Sequence, residues 1–147
     1  MNLSAQGLEL LKKSEGFRAR VYRDVAGFIT IGYGHRVLPG EAFPDGVTIE
    51  GAEKILAIDI AIAQVSVERL VRVPLTQGQF DALVDFVFNL GASRLAGSTL
   101  LRYLNAGKYD EAALQLLKWD HAGSVELAGL KIRREAEYQL WTGKAAA

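Results

Sequence analysis

The feature that most constrains the fold of this chain is a glycine-punctuated stretch followed by one long, unbroken helical pattern. From Gly16 to Gly46 six glycines cut the sequence into short pieces, closing with the turn-rich run Pro39-Gly40 to Asp45-Gly46. Behind Thr48 and Glu50, Ile55, Leu56, Ile60, Ala63, Val67 and Leu70 recur near helical spacing, and the run must stop before Pro74. A helix of that length, lying between a small turn-rich lobe and all later helices, is a strut. The expectation is a single α+β domain. It has an N-terminal helix and β lobe over about 1–46, a linking helix over about 48–72, and a helical lobe over about 74–147. Two lobes joined in this way leave a groove able to hold an extended polymer.

Local signals fill in the elements. Ser4 caps a first helix to about residue 13, with Leu8 and Leu11 inward. Val21-Tyr22 and Phe28 to Ile31 are β-prone, with Val25-Ala26-Gly27 as the turn between them. Thr76 and Gln79 spell a capping box, followed by the apolar face Phe80, Leu83, Val84, Val87 and Leu90 and a stop at Gly91. Shorter helices are predicted over about 98–105 and 110–118, and a last one over about 130–141.

Two carboxylates and a hydroxyl stand at informative positions in the first lobe. Eight residues separate Glu15, at the end of the first helix, from Asp24, and five separate Asp24 from Thr30. With a three-residue turn, Asp24 faces Phe28 and Thr30 becomes its diagonal neighbour on the same hairpin face, roughly 7–8 Å away. That distance leaves room for one water between them. Glu15 reaches the same place from a different element, where the negative end of the helix dipole disfavours its charged form. Glycosidic cleavage needs one carboxyl group to protonate the leaving oxygen and a second group opposite to manage water. Taken singly, each residue reads as an ordinary helix-end, turn or strand residue; as a set they point to that chemistry.

The run Glu15-Gly16, Tyr22, Asp24, Gly27 and Thr30-Ile31-Gly32-Tyr33-Gly34-His35 closely resembles the phage-type lysozymes, the endolysins of glycoside hydrolase family 24. The likeness continues through Val73 to Gln77, Gln79 to Leu83 and Phe86-Val87-Phe88-Asn89-Leu90-Gly91. It resumes at Ser98 to Leu101 and closes with Gly129-Leu130, Arg133-Arg134 and Glu137. The resemblance implies a lysozyme-like fold and a muramidase that hydrolyses the β-1,4 bond between N-acetylmuramic acid and N-acetylglucosamine, with inversion. Glu15 would be the general acid, and Asp24 with Thr30 would govern the water. It also implies that Phe88 and Gln115 line the substrate cleft, Gln115 replacing an amide one methylene shorter. Ala26 stands where some relatives carry an acidic residue. As bare sequence, Arg133 and Arg134 read as solvated helix charges. The resemblance instead sets an arginine of the last helix against the catalytic glutamate, with Arg133 the first choice, and such a partner would favour the charged acid. Bacterial peptidoglycan is the implied partner, release through a holin the implied route from the host cytoplasm, and host cell lysis the implied purpose.

Composition bounds the alternatives. A chain of 147 residues, half of them apolar, fits one domain and leaves disorder improbable. There is no cysteine, hence no disulfide framework or thiolate metal site. Neither His35 nor His121 has partners at metal-ligand spacing, so no cofactor is expected. His35 should brace the β lobe, and His121 reads as a surface loop residue. Trp119 and Trp141 are expected in the core. The net charge is zero, yet residues 1–36 carry six Lys or Arg against three acids, a bias that suits an anionic polymer. No basic stripe interleaved with aromatics suggests nucleic acid. No apolar run approaches a membrane span, and the N-terminus lacks the pattern of a secretory signal. A monomer without stable membrane insertion is expected.

Two other readings remain. A lytic transglycosylase needs the acid but not a water-directing Asp, so Asp24 with Thr30 argues against it. A non-catalytic glycan-binding or membrane-perturbing module would rely on the last helix. There Lys131, Arg133 and Arg134 are offset by Glu135 and Glu137, a weak basis for membrane affinity.

Overall fold

The computed structural model describes residues 1–122 and 125–144. The chain runs through α1 (Ala5–Glu15), β1 (Arg18–Arg23), β2 (Ile29–Gly32), β3 (His35–Arg36) and α2 (Ile49–Leu70). It continues through α3 (Gln77–Leu90), α4 (Ala92–Ala96), α5 (Thr99–Asn105) and α6 (Tyr109–Leu116), then β4 (His121–Ala122), β5 (Val125–Glu126) and α7 (Ala128–Thr142). The α+β reading holds, and the predicted cap residues start the helices. The Ser4 hydroxyl accepts from Gly7 N, Thr48 from Gly51 N, and Thr76 with Gln79 forms the reciprocal box.

Differences from the sequence reading have local causes. α1 continues two residues beyond the expected end, because Gly16 supplies the positive φ of 69° that turns the chain out of the helix. That extension puts Glu15 in the last turn. The five-residue α4 was not anticipated; it is too short to show a period. His121 is not in a loop but in the two-residue strand β4, exposed, with Nδ1 2.5 Å from Asp120 Oδ1. No helix among the described residues is long and apolar enough to cross a membrane.

The core is centred on α3, whose residues from Phe80 through Val87 are all buried. Around it pack Leu11 of α1, Leu56, Ile60 and Val67 of α2, Leu100 and Leu104 of α5, Leu116 of α6 and Trp141 of α7. Each fully buried Leu or Phe contributes roughly 1.5–3 kcal/mol. Trp119 is half-buried and meets Phe86 edge-on at 5.4 Å, as expected of a core residue. α3 and α7 approach so closely that a Cβ on Gly78 would stand 2.0 Å from the Leu140 carbonyl oxygen.

The β lobe is a three-stranded antiparallel sheet in the order β1-β2-β3, with Tyr22 opposite Thr30 and Thr30 opposite Arg36. An irregularity in β1 between Arg18 and Tyr22 shifts the register. His35 ties this lobe to the strut: Nδ1 lies 2.7 Å from Asp59 of α2, and Nε2 lies 2.9 Å from Glu41. Burial alone would lower its pKa, but the hydrogen bonds it donates to Glu41 and Asp59 prevail and leave it raised above 6.5.

Two outcomes follow from this packing. Gly78→Ala should destabilise the protein by about 2 kcal/mol in urea unfolding, since overpacking against a backbone carbonyl outweighs the ~1 kcal/mol that helix propensity returns. His35→Gln should lower the Tm by about 5 °C at pH 5.5 and by much less near pH 9. A raised folded pKa stabilises fully below the unfolded value and loses that contribution as pH rises through the folded one. Circular-dichroism melts across that range would show the trend; a deficit that grows with pH contradicts it.

Candidate active site

Glu15 and Asp24 reach one cleft from two elements that the sequence makes rigid at their ends. Gly16 stops α1 just after Glu15, and Gly27 with φ 87° closes the hairpin turn after Asp24. Asp24 pairs with Phe28, its N–H donating to the Phe28 carbonyl at 2.9 Å. The three-residue turn and the diagonal placement of Thr30 are therefore as the residues predicted. The cleft, about 410 Å³, is lined by Glu15, Tyr22, Asp24, Thr30, Gly34, His35 and Arg36 from the β-lobe side. Asp59, Ile62 and Ser66 line it from α2, and Phe88 to Ala92 from the end of α3 onward. Its walls come from α1 and the β1-β2-β3 sheet on one side and from α2 and α3 on the other.

The carboxylate of Asp24 has a divided environment. Its Oδ1 accepts from the N–H groups of Ala26 at 2.9 Å and Phe28 at 2.8 Å, an Asx turn that pins the side chain. No hydrogen bond from a described residue falls on Oδ2. The Thr30 side chain is buried and its hydroxyl donates to the Phe28 carbonyl at 2.8 Å. With its single hydrogen so engaged, Thr30 Oγ1 offers lone pairs to the cleft.

Glu15 is held from the helical lobe. Its side chain is 17% exposed, and Arg133 Nη1 donates to its Oε2 at 2.7 Å. The other edge of the guanidinium is taken by Asp85, with Nε and Nη2 each 2.9 Å from a carboxylate oxygen. Burial raises the Arg133 cost of carrying charge, yet Asp85 and Glu15 reverse this and stabilise the cation. Behind this pair stand Arg134 and Glu137, both fully buried. Arg134 Nη2 donates to Glu137 Oε2 and to Asn89 Oδ1, each at 2.8 Å. Burial and the neighbouring Asp85 push the Glu137 carboxyl well above the usual carboxylate range, against the opposing pull of Arg134. Burial would also raise Asp85, but Arg133 overrides it and holds that carboxyl below its ordinary value.

Of the residues singled out from sequence, Glu15, Asp24, Thr30 and Phe88 line one cleft, and Arg133 meets Glu15. Gln115 is half-buried on α6 and is not among the cleft-lining residues. Neither Arg133 nor Arg134 is a solvated helix charge; both are buried, because α7 turns this face onto α3. Sequence reasoning missed Asp85. Its signal was present: α3 is apolar around nearly its whole circumference, so Asp81 and Asp85 within it had to be buried and paired. Among the described residues no cluster of His, Asp and Glu could hold a metal ion.

Known proteins resemble this chain over most of its length. The phage lysozyme family model matches residues 12–137. The chain is 42% identical to the endolysin of Bacillus phage B103 over 99% of its own length, and it spans 56% of that longer protein. It is 40% identical to the endolysin of Acyrthosiphon pisum secondary endosymbiont phage 1, covering 96% of this chain and 98% of that one. Among solved structures, the muramidase domain of SpmX from Asticaccaulis excentricus superposes with a TM-score of 0.86 at 38% identity, covering 96% of this chain and 97% of the other. A match over most of the chain, and likeness at this level over nearly all of it, make the protein a member of the phage lysozyme family.

Proposed function

We propose that this protein is a peptidoglycan-lytic muramidase that hydrolyses the β-1,4 bond between N-acetylmuramic acid and N-acetylglucosamine with inversion. The observation that carries the reading is the convergence of Glu15, Asp24 and Thr30 on one interlobe cleft from opposite elements. Glu15 is the general acid. It gives its proton to the glycosidic oxygen as the bond to the anomeric carbon breaks. Water adds to that carbon from the other side. One of its hydrogens is accepted by Thr30 Oγ1, whose own hydrogen is committed to Phe28, and the other passes to Asp24. The Asx turn leaves Asp24 Oδ2 as the accepting oxygen. Electrons balance: the leaving sugar takes the proton of Glu15, and Asp24 takes the proton of water.

Phe88, at the cleft wall, supplies apolar contact for a sugar ring. A role for Gln115 in binding would require substrate to extend along α6 beyond the cleft. The biological setting belongs to the same proposal: lysis of the host cell by a phage or prophage product acting as a monomer on the wall, released through a holin. A lytic transglycosylase would have no use for the Asp24–Thr30 arrangement, because the attacking hydroxyl comes from the sugar itself.

Glu15→Gln should fold like wild type and lose about 10³-fold or more in wall digestion, since an amide has no acidic proton to give. A folded Glu15→Gln protein that clears walls at near the wild-type rate removes the general-acid assignment. Wild-type digests should show reducing-end N-acetylmuramic acid by mass spectrometry, and early-time NMR should show the α-anomer first. Predominantly 1,6-anhydro ends would instead establish a transglycosylase, and an initial β-anomer would rule out inversion.

A further inference from the structure

The contact between Arg133 and Glu15 poses a problem that the cleft alone does not solve. A general acid must hold a proton, and a guanidinium 2.7 Å away favours the ionised carboxylate. Arginine presents a planar fork able to grip one carboxylate with two parallel bonds. Here that fork is given to Asp85, which is 0% exposed and accepts from Nε and Nη2 at 2.9 Å each. Glu15 receives only the remaining Nη1.

We propose that Asp85 is a positioning residue for the general acid. By occupying the bidentate edge of Arg133 as an ionised carboxylate, it limits Glu15 to one charge-assisted bond and keeps that group able to carry a proton under catalytic conditions. This rests on Glu15 being the acid. Glu137 lies behind the pair with a partner of its own, accepting from Arg134 Nη2 at 2.8 Å, which leaves the Arg133 fork to Asp85. Asp85 thus faces the Arg133 charge across two bonds, while the remaining Nη1 still fixes where the Glu15 carboxyl sits.

Other charged groups also face Glu15. Tyr22 and Asp24 of the hairpin, His35 and Asp59 line the same cleft, and Lys12 and Lys13 share its helical turn. Among the described residues, Asp85 alone shares with Glu15 the same guanidinium. Its effect can therefore be separated from theirs.

The test is the pH dependence of kcat/KM for Asp85→Asn on purified peptidoglycan, with Glu15→Gln beside it. Removal of the competing charge should strengthen the Arg133 hold on ionised Glu15 and move the alkaline limb of the profile about one pH unit to lower pH. A merely structural role for Asp85 would lower Tm and the plateau rate while leaving the limb in place, and that result in a folded variant overturns the proposal. If Asp85→Asn does not fold, the wild-type protein decides. Carboxyl carbon NMR should find Asp85 ionised throughout the range in which Glu15 titrates, and an Asp85 that protonates before Glu15 overturns the idea. An active Glu15→Gln protein would instead sink the general-acid reading itself, whereas an inactive Glu15→Gln protein together with an unmoved limb in Asp85→Asn sinks only the role of Asp85.

Discussion

The guanidinium of Arg133, gripped on one edge by Asp85 and on the other by Glu15, connects the packing of this protein to its chemistry. Three helices meet at that group: α7 supplies the arginine, α3 the buried aspartate and α1 the cleft carboxylate. Burying charge costs several kcal/mol per ion even after relaxation, and only close pairing with satisfied hydrogen bonds offsets it. The arrangement is therefore poor value as a source of stability compared with an apolar core. What it provides is registration. A one-turn slip of α7 along α3 would take Arg133 away and strand the charge of Asp85 in a core otherwise built of Leu, Val and Phe. The helical lobe is thereby committed to the one docking that presents Arg133 to the end of α1.

The β lobe solves a different problem with cheaper means. Its sheet is small, and much of it is solvent-exposed; Val25 at the turn is almost fully so. Precision there comes from polar side chains folded back on the backbone. Asp24 spends one oxygen on the turn that positions it, and Thr30 spends its hydrogen on the carbonyl of Phe28. Each residue fixes itself and keeps the complementary half of its hydrogen-bonding capacity for the cleft. The His35 contacts with Asp59 and Glu41 then join this lobe to α2, so that the strut carries orientation as well as distance.

Much of this was readable from the residues. The caps at Ser4, Thr48 and Thr76 and the glycine stop at 91 have local causes, and they placed three of the helices. The hairpin geometry followed from a three-residue turn, which put Asp24 and Thr30 on one face without reference to anything distant. The pairing of Arg133 with Glu15 spans 118 positions, and only the family resemblance pointed to it. Asp85 went unread because an acid within an apolar helix announces burial but not its partner, and Glu137 was read only as a charge offsetting the arginines of the last helix. Periodicity over five residues is too brief to reveal α4. Gln115 was carried across by position, and its half-buried place on α6 is a product of packing that no motif encodes.

Gly34 carries a consequence for anyone who would harden this protein against heat. Replacing loop glycines by alanine commonly stiffens the unfolded chain and stabilises a fold when the backbone conformation permits. At Gly34 the backbone has φ 68°, and an added methyl group would stand 2.3 Å from Glu15 Oε1. The volume that residue 34 leaves empty is the volume the acid occupies. A stabilising library that treats this glycine as slack would press a methyl group against the Glu15 carboxyl in a backbone conformation that alanine tolerates poorly, losing stability and cleft geometry together.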